Sequence, residues 1–301
     1  MSRRDNKPSH AMFAAWLAAL LLLPIVAAGC SSTDPETSAL RDDAYFASLE
    51  QRYGARIGVH AIDTDDDSTV SYRPSTRFAY ASTSKALTSA LVLKTATDAE
   101  LSKVVRYSPD DLLSYAPVTS QHVDTGMTLH DLVVAAVQYS DNTAANLLTA
   151  FLGGPRAVQS KLRDIGDDTT RVDRIEPDLN SATRGDARDT TTADAMATDL
   201  KKFALGSLLP PKRRDLYNSI LEGNETGADY IRAGVPAGSV VGDKTGSGDF
   251  GTRNDVAVVR PPGRAPIVLA VFTDRTGDQS ATSDDALIAD VTRHVMQLLN
   301  A

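Results

Sequence analysis

The sequence contains a single cysteine, so no disulfide can form within one chain. Histidine is also scarce. The four histidines after residue 30 (His60, His122, His130 and His294) show no metal-ligand spacing, so we expect no bound metal ion. A Ser-His-Asp triad stays an open alternative, because it depends on proximity in space and not on spacing along the chain. Basic residues are in deficit, with a net charge of −8, and so acidic a chain gives no reason to expect nucleic acid as a partner.

The first thirty residues have the pattern of an export signal, in which a basic start precedes an apolar run over 11–28 and small residues lead to Cys30. This pattern predicts a signal peptide over 1–29, followed by lipidation of Cys30 and anchoring to the cell membrane. Without the lipid, the exported protein would be secreted or periplasmic. Polar residues 30–37 would form a tether. The run is also long enough to span a membrane, and Arg3-Arg4 is compatible with twin-arginine export.

Hydrophobic periodicity gives the order of the elements. Apolar positions such as Leu40 and Phe46 predict a helix over 38–53, and a second amphipathic pattern predicts a helix over 282–299. Strand-like alternation or apolar runs cover 56–63, 239–244, 254–259 and 267–273, whereas helical patterns dominate between them. We therefore predict an α/β subdomain of residues 38–78 and 228–301, with an inserted helical subdomain of residues 79–227.

Ser82 and Lys85 stand one helical turn apart, just before the apolar run 86–93. A helix that begins at Ser82 would put both side chains on one face, so the Lys85 amine could take the proton of the Ser82 hydroxyl. The free N–H groups of the first helical turn would stabilise a developing oxyanion. Taken alone, this spacing is common enough to arise by chance.

Three further stretches change that interpretation. They are Ser140-Asp141-Asn142 after an apolar helix, Glu176-Pro177-Asp178-Leu179-Asn180 in a polar segment, and Lys244-Thr245-Gly246 at the end of a predicted strand. Separately, each has a plain explanation: a helix N-cap, solvated loop charges and a strand-end lysine. Together with Ser82 and Lys85, they resemble the motif set of class A serine β-lactamases and penicillin-binding proteins, in the order found in that family. The resemblance runs from about residue 38 to the end.

The resemblance to class A β-lactamases implies a set of catalytic roles. Ser82 would attack a lactam carbonyl, with either Lys85 or a water held by Glu176 taking its proton. Ser140 would relay a proton to the departing lactam nitrogen, and Glu176 would then activate water against the acyl-enzyme. The backbone N–H groups of Ser82 and Ser247 would form the oxyanion hole.

The same resemblance assigns residues that bind and support. The implied substrate-binding residues are Asn142, Asn180, Lys244, Thr245, Ser247, Arg253 and Tyr115, the last as an aromatic wall of the cleft. An ion pair of Arg174 with Asp189 would clamp the loop that carries Glu176, and Asp285 would lie near Arg253. The resemblance implies no cofactor, β-lactam antibiotics as the binding partners, and a monomer.

The fold implied is the serine β-lactamase/D,D-peptidase fold, in which N- and C-terminal helices flank an antiparallel sheet and an all-helical subdomain is inserted. The expected function is hydrolysis of the β-lactam amide of penicillins and cephalosporins through a serine acyl-enzyme, which gives antibiotic resistance. Two rivals stay open. A penicillin-binding D,D-peptidase would share three of the motifs but would not need Glu176, and a non-catalytic cell-wall-binding lipoprotein would need no nucleophile.

Overall fold

The computed structural model describes residues 39–301, so the predicted signal peptide, Cys30 and the tether lie outside the described residues. The strands are β1 (Ala39–Leu40), β2 (Ala55–Asp63), β3 (Thr69–Tyr72), β4 (Phe78–Ala79), β5 (Val104–Val105), β6 (Met127–Thr128), β7 (Thr190–Thr191), β8 (Val240–Gly248), β9 (Thr252–Arg260) and β10 (Ile267–Arg275). The helices are α1 (Asp43–Tyr53), α2 (Ser84–Thr95), α3 (Asp98–Leu101), α4 (Leu129–Gln138), α5 (Asn142–Phe151), α6 (Pro155–Asp164), α7 (Ala193–Ala204), α8 (Pro211–Glu222), α9 (Ile231–Gly234) and α10 (Asp285–Leu298).

Six strands form the main sheet in the order β1-β3-β2-β10-β9-β8. All neighbouring strands are antiparallel except β1 and β3, which run parallel. The central strand β10 is buried along almost its whole length because both faces of the sheet are covered, which explains its continuous apolar run. The predicted fold class, an antiparallel sheet with terminal helices and inserted helices, is confirmed by this topology.

The two faces of the sheet belong to different hydrophobic clusters. On one face, α1 and α10 pack through side chains such as Phe46 and Val291. On the other face, α7 contributes Met196 and Leu200 to a cluster that continues into the helices around α2. The described residues form one compact unit. The division into two subdomains stays a prediction.

Helix α2 lies at the centre of the helical layer, and its residues from Lys85 to Leu93 are all buried. It contacts α4, α5, α7 and α8. A helix enclosed on every side has little freedom to move, because each displacement would open voids in a close-packed interior. The first turn of α2 therefore provides a rigid platform for Lys85 and for the residues just before it.

Several predicted boundaries are wrong. Leu40 lies in β1 and not in the first helix, which begins at Asp43 because the side chain of Asp42 caps the N–H of Tyr45. Lys244 lies inside β8, which continues to Gly248 because β9 pairs with it along its whole length. The predicted helical stretch also contains the short strands β5, β6 and β7.

Among the helices of residues 39–301, none combines the length and hydrophobicity needed to cross a bilayer.

Candidate active site

Ser82 lies in a 3-10 turn, Ala81–Thr83, and α2 begins only at Ser84, so the prediction that the helix starts at Ser82 is wrong by two residues. The turn is entered through Ala81, whose φ of 48° is in the left-handed region, where a regular helix cannot continue. The hydroxyl of Thr83 donates to the carbonyl of Tyr80 at 2.6 Å. These local bonds fix the turn that presents the Ser82 hydroxyl.

Lys85 is buried, and its Nζ is surrounded by oxygen atoms. It donates to Ser82 Oγ at 2.8 Å, to the Ser140 carbonyl at 2.8 Å and to Asn142 Oδ1 at 2.6 Å, and Ser140 Oγ is 3.3 Å away. Burial lowers the pKa of Lys85, and the nearby Glu176 carboxylate opposes that shift. A larger fraction of Lys85 is thus neutral than of an exposed lysine, and only the neutral amine can accept a proton.

Glu176 reaches the same two groups from the opposite side. Its Oε1 accepts from Ser82 Oγ at 3.3 Å and lies 3.0 Å from Lys85 Nζ, while Asn180 Nδ2 donates to Oε2. Asn146 holds the backbone of Glu176 through two hydrogen bonds of 2.9 Å, one to its N–H and one to its carbonyl. Both the carboxylate and the backbone of Glu176 are therefore fixed beside Ser82.

The segment between α6 and β7, residues 165–189, carries Glu176, and we call it the Ω-loop. Arg174 Nε lies 2.5 Å from Asp189 Oδ2, and Asp189 is fully buried. Asp189 Oδ1 also accepts from the N–H groups of Asp173 and Arg174 at 2.9 Å, and from the Tyr80 hydroxyl at 3.1 Å. This one carboxylate ties the Ω-loop to the residue two positions before Ser82.

Ser140, Asp141 and Asn142 form the turn between α4 and α5. Ser140 has a φ of 57°, which turns the chain sharply. Asp141 is the N-cap of α5, where its side chain accepts from Ala144 N at 2.9 Å, and it also accepts from the backbone N–H and the hydroxyl of Thr119. The capping role therefore belongs to Asp141, which leaves Ser140 and Asn142 free to contact Lys85.

Lys244 on β8 is fully buried opposite Lys85, with Ser140 between them. Its Nζ donates to Ser140 Oγ at 3.1 Å and to the Thr245 carbonyl at 2.7 Å. Burial, and then repulsion by Lys85, lowers the pKa of Lys244 to about 7. Strand β8 comes so close to the nucleophile turn that a Cβ at Gly246 would lie 2.9 Å from the Tyr80 carbonyl oxygen, so only glycine fits there.

Beyond Lys244, hydroxyl and guanidinium groups continue along β8 and β9. Ser247 pairs with Arg253 across the strands, and Arg253 Nη1 donates to Ser247 Oγ at 2.6 Å. Arg253 Nε lies 2.8 Å from Asp285 Oδ1, which places Asp285 beside Arg253 as expected. Thr245 Oγ1 and Thr226 Oγ1 share a hydrogen bond of 2.6 Å. This row of donors is suited to an anionic group.

These side chains open onto one cleft with a volume of about 350 Å³. Its lining residues are Ser82, Tyr115, Ser140, Asn142, Asn180, Thr226, Tyr230, Thr245, Gly246, Ser247 and Arg253. Tyr115 stands at its edge, and 51 % of its surface is exposed. The structure thus brings the predicted catalytic and binding side chains to one place. Lys85, Glu176 and Lys244 lie just beneath the cleft surface.

Comparison with known proteins agrees with this geometry. Residues 43–299 match the family described as the "Beta-lactamase enzyme family". The chain belongs to this β-lactamase family. It is 52 % identical over 248 residues to a β-lactamase of Bacillus amyloliquefaciens, which covers 82 % of this chain and 81 % of that protein.

Solved structures of β-lactamases are similar to this chain as well. A halotolerant bacterial β-lactamase has 47 % identity and a TM-score of 0.84, covering 85 % of this chain and 99 % of its own. A class A β-lactamase from Clostridium kluyveri DSM 555 has 41 % identity and a TM-score of 0.84, covering 86 % and 98 % of the two chains. The resemblance to class A β-lactamases inferred from the motifs is confirmed.

Sequence reasoning missed several residues that support the site in this β-lactamase family member. Asn146 stands four residues after Asn142 on α5, and this i, i+4 spacing could have placed it near the motif. Asn254 follows Arg253, and its side chain donates to the carbonyls of Ala79 at 2.8 Å and Tyr80 at 3.2 Å, which fixes the entry to the nucleophile turn. Thr226 and Tyr230 carry no sequence signal of their own.

Proposed function

We propose that this protein is a class A serine β-lactamase, which hydrolyses the β-lactam amide of penicillins and cephalosporins through an acyl-enzyme on Ser82 and so gives antibiotic resistance. The observation that carries the proposal is the position of the Ser82 hydroxyl. It lies 2.8 Å from the amine of Lys85 and 3.3 Å from the carboxylate of Glu176. The nucleophile therefore has two candidate bases for acylation, Lys85 and Glu176, and Glu176 is also placed to act in deacylation.

In acylation, Ser82 Oγ attacks the lactam carbonyl carbon, and its proton moves to Lys85 or, through a water, to Glu176. Both routes fit the geometry, because both groups are held in place by other hydrogen bonds. The oxyanion forms beside the backbone N–H groups of Ser82 and Ser247. Such donors stabilise charge strongly because they need no reorganisation.

Breaking the lactam C–N bond requires a proton on the departing nitrogen, and Ser140 is placed to deliver it. Its hydroxyl lies between Lys85 Nζ at 3.3 Å and Lys244 Nζ at 3.1 Å. A proton taken from Ser82 by Lys85 can thus return through Ser140 to the nitrogen. Lys244 keeps the potential around Ser140 positive, which favours proton release from the hydroxyl.

Deacylation requires a water molecule to attack the ester carbonyl of the acyl-enzyme. Glu176 Oε1 accepts from Ser82 Oγ, and Oε2 accepts from Asn180, so a water beside this pair would face the ester. Glu176 takes the proton of that water as the general base and returns it to Ser82 Oγ as the ester bond breaks. A D,D-peptidase would not require this carboxylate, and so its position favours a β-lactamase over that rival.

The substrate carboxylate is bound by the cation of Lys244, the hydroxyls of Thr245 and Ser247 and the guanidinium of Arg253. Asn142 donates to the acylamino side chain of the substrate, and Tyr115 packs against it at the edge of the cleft. That the protein acts as a monomer stays a proposal from the family resemblance.

We also propose that the protein is exported and anchored through lipid on Cys30. The support is the sequence pattern alone, in which Cys30 is the single cysteine and follows Ala27-Ala28-Gly29. The intact mass of the mature protein from its native host tests this. A chain that starts at Cys30 with a diacylglyceryl group supports the anchor, and a mature chain that starts elsewhere without lipid contradicts it.

The experiment that tests the activity uses a chromogenic cephalosporin and two variants. The parent should turn over many equivalents, whereas Ser82→Ala should form no covalent adduct. Glu176→Gln should accumulate an acyl-enzyme on Ser82, visible by mass spectrometry, because a positioned general base is worth about 10²–10⁴ in rate.

The rivals predict other outcomes in the same assay. A single stoichiometric acylation of the parent would indicate a peptidase, and no reaction would indicate a binding protein. Turnover by Glu176→Gln at the parent rate would contradict the assigned role of Glu176.

A further inference from the structure

Tyr230 lines the cleft, although the motif set gives it no role. It precedes α9, and its backbone N–H donates to the carbonyl of Gly227 at 3.2 Å, which sets the ring in place. Only 8 % of Tyr230 is exposed, and the residue also packs into the hydrophobic cluster beneath α10. The ring is therefore a fixed part of the cleft and not a mobile surface group.

The ring of Tyr230 supports the guanidinium of Arg253. The Arg253 Cζ atom lies 5.5 Å from the ring centroid, within the range of a cation–π contact. Burial raises the pKa of Tyr230 to about 12, although Arg253 and the Ser247 hydroxyl oppose the shift. The phenol is therefore neutral near pH 7, and it does not compete with a substrate carboxylate for Arg253.

Asp285 is a second neighbour of Arg253, and its carboxylate does compete with a substrate carboxylate for the guanidinium. Asp285 Oδ1 lies 2.8 Å from Arg253 Nε, but the N–H is not aligned with that oxygen and makes no hydrogen bond. The contact is an ion pair without a hydrogen bond, while Nη1 donates to Ser247 Oγ. A small rotation of the guanidinium would complete the bond to Asp285, since bidentate pairing of arginine with a carboxylate is strongly favoured. The ring of Tyr230 opposes this rotation by holding the guanidinium plane.

We propose that Tyr230 is a positioning residue that gives the enzyme its preference for substrates with a free carboxylate, by holding Arg253 open to the cleft against Asp285. The proposal rests on the proposed function, because it concerns how the substrate of that reaction is chosen. Without the aromatic ring, the guanidinium would turn into a hydrogen-bonded pair with Asp285 and direct fewer of its N–H groups at the substrate.

The test compares a penicillin with its methyl ester, which lacks the anionic group, in kinetic measurements on the parent, Tyr230→Leu and Tyr230→Phe. For the acid, Tyr230→Leu should raise KM about 3- to 20-fold with little change in kcat, the range of a partly desolvated cation–π contact. The ester should be affected less than 2-fold. Tyr230→Phe keeps the ring and should lose less than a third of the Tyr230→Leu effect.

A matched control is Tyr115→Leu, which removes another tyrosine of the same cleft with no guanidinium over its ring. It should weaken the acid and the ester alike. Tyr230→Leu should also have no further effect in an Arg253→Ala background, because a residue that acts through Arg253 cannot act without it. If Tyr230→Leu does not fold, as judged by its thermal unfolding, Tyr230→Met takes its place.

Three outcomes would overturn the proposal: equal losses for acid and ester, an unchanged KM, or an undiminished effect in the Arg253→Ala background. A parent that does not turn over the acid contradicts the proposed function itself, and is thus distinguishable from a failure at Tyr230.

Discussion

The Ω-loop is held at two places by buried pairs of side chains that differ in charge. Near Glu176, Arg174 and Asp189 carry opposite charges, and the carboxylate is satisfied by two backbone N–H groups. At the start of the loop, Asp167 lies beside Asp199 of α7, so two carboxyl groups meet in the interior. The first pair attracts in its ionised form, whereas the second is stable only if one member keeps a proton.

Two observations indicate that Asp167 and Asp199 share a proton. Asp167 Oδ2 and Asp199 Oδ2 are both buried without a hydrogen-bond donor, and one shared proton would satisfy both. Burial, and then the charge of Asp167, raises the pKa of Asp199 to about 7, although Lys202 Nζ lies 3.1 Å from its Oδ1.

Asp167 is the ionised member of the pair. Burial acts against ionisation, but the hydroxyl of Thr170 and the N–H groups of Thr169 and Thr170 keep the pKa of Asp167 low. Arg163 donates to the Asp167 backbone carbonyl and not to its carboxylate. The comparison teaches that one loop can combine a clamp of two opposite charges with a clamp that depends on a proton.

The largest expected effect concerns the pH dependence of stability. The folded protein keeps the Asp199 proton up to about pH 7, while the unfolded chain releases it near pH 4. The free energy of unfolding should therefore fall as pH rises from about 4 to about 7, by up to about 4 kcal/mol. Asp199→Asn cannot titrate, and its amide can donate to Asp167, so that part of the fall should disappear.

Urea unfolding of the parent and Asp199→Asn at several values between pH 4 and pH 8 measures this difference. Asp215→Asn, which changes an exposed carboxyl on α8, is the matched control and should follow the parent curve. Parallel curves for the parent and Asp199→Asn would show that the two carboxyl groups share no proton.

The pairing of Asp167 with Asp199 also marks the limit of what the sequence predicts. The motif residues Ser82, Lys85 and Glu176 could be assigned because their spacing is local or matches a known set. Asp167 and Asp199 are ordinary acidic residues in the sequence, and only tertiary packing brings them together. Tyr230 lies under Arg253 for the same reason.

Boundaries were predictable only where local chemistry decides them. The end of α1 at Gly54 follows from a left-handed C-cap, which glycine favours. The continuation of β8 through Lys244, Thr245 and Gly246 depends on pairing with β9, which no local pattern reveals. The start of α2 was missed because the left-handed Ala81 imposes a 3-10 turn that alanine does not signal.

The smaller expected effect concerns the pair of opposite charge. Asp189→Asn removes the negative charge and leaves the Arg174 guanidinium, whose side chain is only 21 % exposed, without its partner. Breaking a buried ion pair in this way costs about 3–5 kcal/mol, and we expect a loss of about 3 kcal/mol because Arg174 is partly solvated. This loss comes from a broken charge pair, in contrast to the effect of Asp199→Asn, which comes from a proton.

Asp189→Asn should also slow deacylation more than acylation, since the loop that loosens carries Glu176 while Lys85 stays on the rigid α2. Urea unfolding gives the stability, and pre-steady-state acylation with mass spectrometry separates the two steps. The control is Asp186→Asn, which breaks the ion pair with the half-exposed Arg188 in the same loop and should change both quantities much less. A variant Asp189→Asn that unfolds like the parent, or slows both steps equally, would show that the Ω-loop is held by its packing and hydrogen bonds and not by this charge.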